Sequence, residues 1–125
     1  MIVHEFATAQ SIVKTITKVI KEKEIKKIYR ISLLIGELTF LSGEQLKFWI
    51  GEGLKGTVGE GVEILVKTLP PKIRCQECGY EGGIKVKEDP SFHFSLPIFA
   101  CPKCSGTKIE IIEGRDCLIE SLEVE

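Results

Sequence analysis

Four of the five cysteines in this 125-residue chain stand in two pairs with the same internal spacing. Cys75 and Cys78 form the first pair, and Cys101 and Cys104 form the second. Two intervening residues let one tight turn direct both sulfurs at one metal ion, and two such turns complete a tetrahedral set of thiolates for Zn(II). The spacing therefore predicts a zinc site with these four cysteines as ligands.

A site closed by four thiolates has no open coordination position, so the predicted zinc is structural and not catalytic. Two alternatives stay open: two unrelated thiol pairs, or a redox dithiol, which would need one CxxC at the start of a helix. Gly79 follows the first pair and accepts the positive φ that such a turn often needs. Ser105 occupies the matching position after the second pair, so we expect a different turn there.

The remaining cysteine and the two histidines are weaker candidates. We predict that Cys117 is a small buried apolar residue. His93 lies between the cysteine pairs, and we expect a surface or packing role because zinc already has four ligands. His4 and its neighbour Glu5 lie near the beginning of the sequence, where an isolated histidine is usually inert.

Composition and the absence of certain motifs disfavour several classes of protein. The chain has 17 basic and 18 acidic residues and a formal net charge of −1, so it lacks the basic surplus typical of nucleic-acid binders. No secretory signal and no apolar run of about 18 residues occurs, so we expect a cytoplasmic protein without a membrane span. No paired carboxylates in a catalytic spacing, phosphate loop or Ser-His-Asp set is present, and only two histidines occur, which argues against most metal-dependent hydrolases.

Apolar periodicity predicts two helices and three long strands. The helices are expected over Phe6–Lys23, after His4 and Glu5, and from an N-cap at Ser42 to about Lys55. Gln45, three residues after Ser42, suggests a capping box. The strands are expected over Lys27–Ile35, Val62–Leu69 and Arg115–Glu125. Their inward faces are predicted to carry Tyr29, Ile31, Leu33 and Ile35, then Val62, Ile64 and Val66, then Leu118, Leu122 and Val124.

The segment after Pro70-Pro71 differs from the rest of the chain in its composition. Residues 72 to about 108 contain four cysteines, several glycines and prolines, and few regular apolar patterns. A segment of this size rarely buries enough core to fold alone, and a metal usually supplies the missing stability. Because the last strand would return to the first domain, the zinc module is predicted to be an insertion.

Several short segments, taken in chain order, resemble the HypA family of nickel metallochaperones for NiFe-hydrogenase maturation. They are His4-Glu5-Phe6-Ala7, Ser11-Ile12-Val13, Gly36-Glu37-Leu38, the two CxxC pairs, Gly114-Arg115-Asp116 and Glu120-Ser121-Leu122-Glu123-Val124-Glu125. The resemblance implies an α+β fold with a small three-stranded sheet and two helices. This nickel-binding domain would comprise residues 1–69 and 112–125, with an inserted zinc-ribbon-like domain at 70–111.

The resemblance also implies that the protein binds two metals with different roles. Structural Zn(II) would stay with the cysteines, while Ni(II) would be a transient cargo bound near the N-terminus. The family's nickel ligands include a histidine imidazole, the terminal amine and nearby backbone amide nitrogens; its histidine and glutamate correspond to His4 and Glu5. A HypB-type nickel-handling GTPase and a hydrogenase large-subunit precursor would be the partners. The resemblance further implies that the protein is not an enzyme.

The sequence departs from the family pattern at two places. Met1-Ile2-Val3 precedes His4, where the family has only the initiator Met, which would displace the terminal amine. We hypothesise that translation starts at a GTG codon for Val3; a native protein whose mass includes the three residues would contradict this. Ser42 matches by spacing a position where some members place an aspartate near the nickel, and serine is a weaker ligand.

Two alternative functions stay open at this point. One is a thiol redox enzyme, which stoichiometric zinc without free CxxC thiols would reject. The other is a zinc-ribbon adaptor that binds protein or nucleic acid without a nickel role, and a basic face near the cysteines would favour it. The candidate basic residues are Lys72, Arg74, Lys85, Lys87, Lys103 and Lys108, and the acidic residues among them are Glu77, Glu81, Glu88 and Asp89. These acidic residues dilute the basic face, which favours an ordinary solvated surface.

Overall fold

The computed structural model of the protein describes residues 2–84 and 100–125. Along these described residues, two helices, α1 and α2, and six strands, β1 to β6, follow one another, with a short 3-10 turn at Glu37–Thr39. Their bounds are α1 Ile2–Glu22, β1 Ile28–Gly36, α2 Gly43–Gly53, β2 Glu63–Leu69, β3 Lys72–Cys75, β4 Glu81–Gly83, β5 Ile109–Glu113 and β6 Cys117–Val124. The strands form two three-stranded sheets, ordered β2-β1-β6 and β4-β3-β5, which confirms the predicted α+β class.

The chain divides into two compact units. The first unit contains the residues up to Ile35, Phe40–Thr68 and Cys117–Glu125. The second contains Gly36–Thr39 and Leu69–Asp116, so it includes the predicted insertion and extends beyond it at both ends. Neither described helix has the length and apolarity that a membrane span requires.

Helix α1 begins four residues earlier than the sequence pattern predicts. Its apolar stripe, which includes the buried Ala9, Ile12 and Ile16, packs in the core of the first unit. The prediction that His4 and Glu5 precede the helix is wrong, because both lie in its first turn. Apolar periodicity does not detect this turn, because its buried side chain is polar. That side chain is the carboxylate of Glu5, which is 2% exposed.

Helix α2 begins at the predicted cap. Ser42 has extended backbone angles, and its hydroxyl accepts a hydrogen bond from the Gln45 N–H at 3.3 Å. Leu46, Ile50 and Leu54 are fully buried in the same core as the α1 stripe. The start of α2 lies beside the first turn of α1, since the Ser42 N–H donates to Glu5 Oε1 at 3.0 Å.

Strand β1 is the centre of the first sheet, and Ile31, Leu33 and Ile35 are buried as predicted. Tyr29, predicted to face inward, is 48% exposed. The register between β1 and β6 shifts between Ile28 and Arg30, so Ile28 takes the buried place. A bulge of this kind adds one residue to a strand and reverses the facing of the side chains before it.

Strand β6 departs from its predicted pattern for the same reason. Leu122 packs against the core, but Leu118 and Val124 are 52% and 44% exposed. A second register shift lies opposite Ser32 and Leu33 in β1. Cys117 and Ile119 consequently pack against the core in place of Leu118.

Two glycines form a tight junction in the second unit. The Leu38 N–H donates to the Gly114 carbonyl at 2.8 Å, and the Gly36 N–H donates to that of Asp116 at 2.9 Å. Gly114 has a φ of +97°, and a side chain there would start 2.8 Å from the Cα of Pro71. A side chain on Gly36 would collide with the Gly114 backbone. The Gly36-Glu37-Leu38 and Gly114-Arg115-Asp116 segments are therefore structural partners.

Candidate metal centre

The four predicted cysteines converge on one point. Their sulfur atoms all lie within 4.8 Å of one another. The Sγ atoms of Cys75 and Cys104 are 3.6 Å apart, as are those of Cys78 and Cys101. In a tetrahedral site with Zn–S bonds of about 2.3 Å, the sulfurs are about 3.8 Å apart. The arrangement fits Zn(II), and it excludes the alternative of two unrelated thiol pairs.

Strands β3 and β5 hold the two pairs together. Cys75 is the last residue of β3, and it lies opposite Ile109 of β5. The Gln76 N–H donates to the Lys108 carbonyl at 2.9 Å, which extends the strand pairing past the first cysteine. The second sheet therefore fixes the distance between the turns that carry the ligands.

The two turns, or knuckles, have the same backbone hydrogen bonds. In each knuckle, the N–H of the first cysteine donates to the carbonyl of the residue five positions later. The N–H of the residue four positions later donates to the carbonyl of the first cysteine. These bonds are Cys75 to Tyr80 (2.7 Å) and Gly79 to Cys75 (3.0 Å), then Cys101 to Gly106 (2.9 Å) and Ser105 to Cys101 (2.9 Å). The expectation of a different second turn is wrong, because Ser105 adopts a φ of +62° and Gly79 one of +79°.

Backbone N–H groups also point at the sulfurs. Lys103 donates to Cys101 Sγ and Gly106 to Cys104 Sγ, each at 3.4 Å. Burial raises the pKa of the Cys101 thiol, but the backbone N–H groups of Cys104 and Lys103 and the neighbouring thiols lower it to about 7. The Gly106 N–H lowers the pKa of Cys104, whereas burial and the other three sulfurs raise it to about 12. Thiolates so close together require a cation, and a divalent metal supplies that charge.

Cys117 and His93 have no place in this cluster. The sequence predicts a buried Cys117, but this residue is only half-buried. It packs against the core of the first unit, and burial raises the pKa of its thiol. Among the described residues, Cys117 belongs to no group of three or more potential metal ligands. His93 lies outside the described residues, so its predicted surface or packing role stays a prediction.

The two predicted nickel-site residues, His4 and Glu5, differ in their exposure to solvent. His4 is exposed, whereas Glu5 is buried and its Oε1 accepts a hydrogen bond from the Ser42 N–H at 3.0 Å. Burial raises the pKa of Glu5, but hydrogen bonds from the backbone N–H groups of Ser42 and of Glu5 itself outweigh it and lower the pKa. The carboxylate is therefore an anion at the N-terminus of α2, where the helix dipole favours negative charge.

This contact also revises the predicted capping box. A capping box would have the Gln45 side chain accept from the Ser42 N–H. Glu5, 37 residues away in sequence, accepts that hydrogen bond instead. Sequence analysis singled out Glu5 and Ser42 separately and missed their contact, because no local pattern connects residues so far apart.

Comparison with known proteins assigns the family. The sequence model described as "Hydrogenase/urease nickel incorporation, metallochaperone, hypA" matches residues 3–124. The chain belongs to the HypA family. The hydrogenase maturation factor HypA of Methanocaldococcus jannaschii is 35% identical over 127 aligned positions, which cover 98% of this chain and 97% of that protein. The HypA of Desulfitobacterium hafniense is 34% identical, with 98% of each chain covered.

Solved structures of HypA proteins share the fold. The solution structure of the nickel metallochaperone HypA from Helicobacter pylori matches with a TM-score of 0.67, covering 96% of both chains at 17% identity. A second HypA solution structure matches with a TM-score of 0.68 at 18% identity.

The HypA assignment confirms the predicted function class, a nickel metallochaperone of hydrogenase maturation with a four-cysteine zinc site. It displaces the adaptor alternative. A metallochaperone carries a metal and transforms no substrate, so the prediction that the chain is not an enzyme is confirmed as well.

Proposed function

We propose that this HypA-family chain binds Ni(II) through His4 and passes it on for hydrogenase maturation. The observation that carries the proposal is the position of His4, which is exposed in the first turn of α1 directly beside the anchored Glu5. The first four N–H groups of an α-helix have no partner within the helix. His4 is the third residue of α1, so its imidazole and its backbone nitrogen together offer the nitrogen ligands that Ni(II) accepts.

The zinc proposed for the cysteine cluster has a separate role. Its four thiolates would leave no open position, so zinc stays bound while nickel is the cargo. In this proposal the nickel-binding domain comprises residues 1–69 and 112–125, and the zinc domain comprises 70–111. The convergence of the four sulfurs supports the zinc assignment.

The proposed partners are a HypB-type GTPase that handles nickel and the precursor of a hydrogenase large subunit, in the cytoplasm. The names of the relatives, which are hydrogenase maturation factors, support a hydrogenase target. The family description also names urease, so a nickel-dependent hydrolase is a second target to test.

Equilibrium dialysis of Ni(II) against the zinc-loaded protein tests the nickel site. We expect His4→Ala to abolish stoichiometric nickel binding while one zinc per chain is retained, because the imidazole is lost and the cysteine cluster is untouched. Lys14→Ala, an exposed residue on the same helix, is the matched control and should bind nickel like the unaltered protein. Unchanged nickel binding by His4→Ala would remove His4 from the site.

A further inference from the structure

We infer that Glu5 serves the nickel site as a positioning residue, by capping helix α2 with its carboxylate, and that this carboxylate is not a nickel ligand. The inference rests on the proposed nickel site at His4. It assigns the two neighbouring residues different roles, since His4 would bind the metal and Glu5 would hold the turn that presents it.

The cap joins two elements that are distant in sequence. Glu5 lies in the first turn of α1, and its Oε1 is 3.0 Å from the backbone nitrogen of Ser42, the N-cap of α2. Ser42 in turn accepts from the Gln45 N–H through its hydroxyl. Two N–H groups at the start of α2 therefore donate to side chains: that of Ser42 to Glu5 of α1, and that of Gln45 to the hydroxyl of Ser42. A capping box has the same two kinds of hydrogen bond, but within one helix end.

The Glu5 carboxylate is buried where it accepts from the Ser42 N–H. Glu5 is the one charged residue that is buried in the part of the chain that the structure describes. Ala9 and Ile12 follow it along α1, and they pack in one core cluster with Leu46 and Ile50 of α2. To bind nickel through its carboxylate, Glu5 would have to leave this position and give up the Ser42 N–H. A buried polar group left unsatisfied is costly, so the cap opposes that movement.

The same anchoring sets the direction of His4. Successive residues of an α-helix point about 100° apart, because one turn takes about 3.6 residues. With Glu5 fixed towards α2, the helix turns His4 to solvent, where it is exposed. Helix ends fray unless they are held, and the cap holds the turn that carries the imidazole and backbone nitrogen of His4.

Two substitutions at Glu5 separate the roles of positioning residue and ligand. Glu5→Gln keeps an oxygen that accepts from the Ser42 N–H, whereas Glu5→Ala removes it. We expect Glu5→Gln to keep nickel affinity within about threefold and to leave the absorption spectrum of bound Ni(II) unchanged. Glu5→Ala should weaken nickel binding by about 3- to 30-fold, the range that corresponds to the loss of a helix cap. It should also speed amide exchange at Ser42.

Lys14→Ala is the matched control, because Lys14 is an exposed residue of α1 outside the cap and outside the proposed nickel site. It should leave both the amide exchange at Ser42 and the nickel affinity unchanged. Equal loss of nickel by Glu5→Gln and Glu5→Ala with an altered Ni(II) spectrum would overturn the inference in favour of a ligand. Unchanged exchange at Ser42 in Glu5→Ala would overturn the cap itself. If His4→Ala still binds nickel, the proposed nickel site fails, while the exchange data still decide the cap.

Discussion

At the scale of single residues, Ser105 occupies a backbone conformation that the other knuckle gives to glycine. Its φ is +62°, against +79° at Gly79, and both N–H groups donate to the first cysteine of their knuckle. The left-handed conformation costs an L-residue about 1–2 kcal/mol, and glycine avoids most of this cost. The second knuckle therefore carries backbone strain that the first one lacks.

This strain predicts that Ser105→Gly tightens zinc binding. Relief of the left-handed conformation should exceed the extra chain entropy that glycine loses on folding, for a net gain of about 0.5–1 kcal/mol. Zinc affinity, measured by competition with a chromogenic chelator, should rise by about two- to fivefold. Ser105→Ala is the control, because it removes the hydroxyl but keeps the strained φ, and it should show no gain. A gain in Ser105→Ala equal to that in Ser105→Gly would assign the effect to the hydroxyl and contradict the argument.

The residues of the candidate sites were predictable where the pattern was local. The spacing of two residues between cysteines identified all four sulfur ligands, since a short turn fixes which side chains meet. Ser42 was identified as a cap for the same reason. The contact between Glu5 and Ser42 was not predictable, because it depends on how α1 packs beside α2, and a buried carboxylate interrupts the apolar pattern of a helix.

At the scale of elements, periodicity predicted both helices and the three strands of the first sheet, but it missed the first turn of α1, the strands of the second sheet and the facing of some side chains. Ile31 and Leu33 are buried as expected, while Tyr29 and Leu118 are not. Each misassigned residue lies next to a shift in the register between β1 and β6. A strand pattern assumes strict alternation, and a bulge depends on the partner strand, which a single segment does not reveal.

The glycine junction gives a prediction at this scale. Gly114→Ala should destabilise the second unit by about 2–4 kcal/mol, because the new side chain meets the Pro71 backbone and the φ of +97° disfavours any L-residue. Chemical denaturation of the zinc-loaded protein, followed through the environment of Tyr80, would measure this.

Gly79→Ala is the matched control for that experiment, because Gly79 belongs to the same unit as Gly114. Gly79 has a φ of +79°, but a side chain there would meet nothing within 4 Å. Gly79→Ala should cost only about 1 kcal/mol, the penalty of the left-handed conformation alone. Equal losses for Gly114→Ala and Gly79→Ala would show that the close approach to Pro71 contributes nothing.

At the scale of the whole molecule, the two units differ in what stabilises them. The first has a continuous apolar core that includes Ile16, Ile31, Leu33 and Leu46. In the described part of the second unit, Pro71 and Ile73 are the buried aliphatic side chains, and the other buried residues include two of the zinc ligands. Hydrophobic burial scales with the apolar area removed from water, so it stabilises the first unit far more than the second.

This difference predicts that zinc removal unfolds one unit and spares the other. Structural zinc contributes about 10–16 kcal/mol in small zinc-binding peptides, more than the core around Ile73 can replace. After chelation, amides of β3 and β5 should lose protection from hydrogen exchange, while those of α1 and α2 stay protected because their apolar core is unchanged. Restoring one equivalent of zinc should return the protection. Protected β3 amides in the zinc-free protein would show that the second unit folds without its metal, and simultaneous loss in α1 would show that both units depend on zinc.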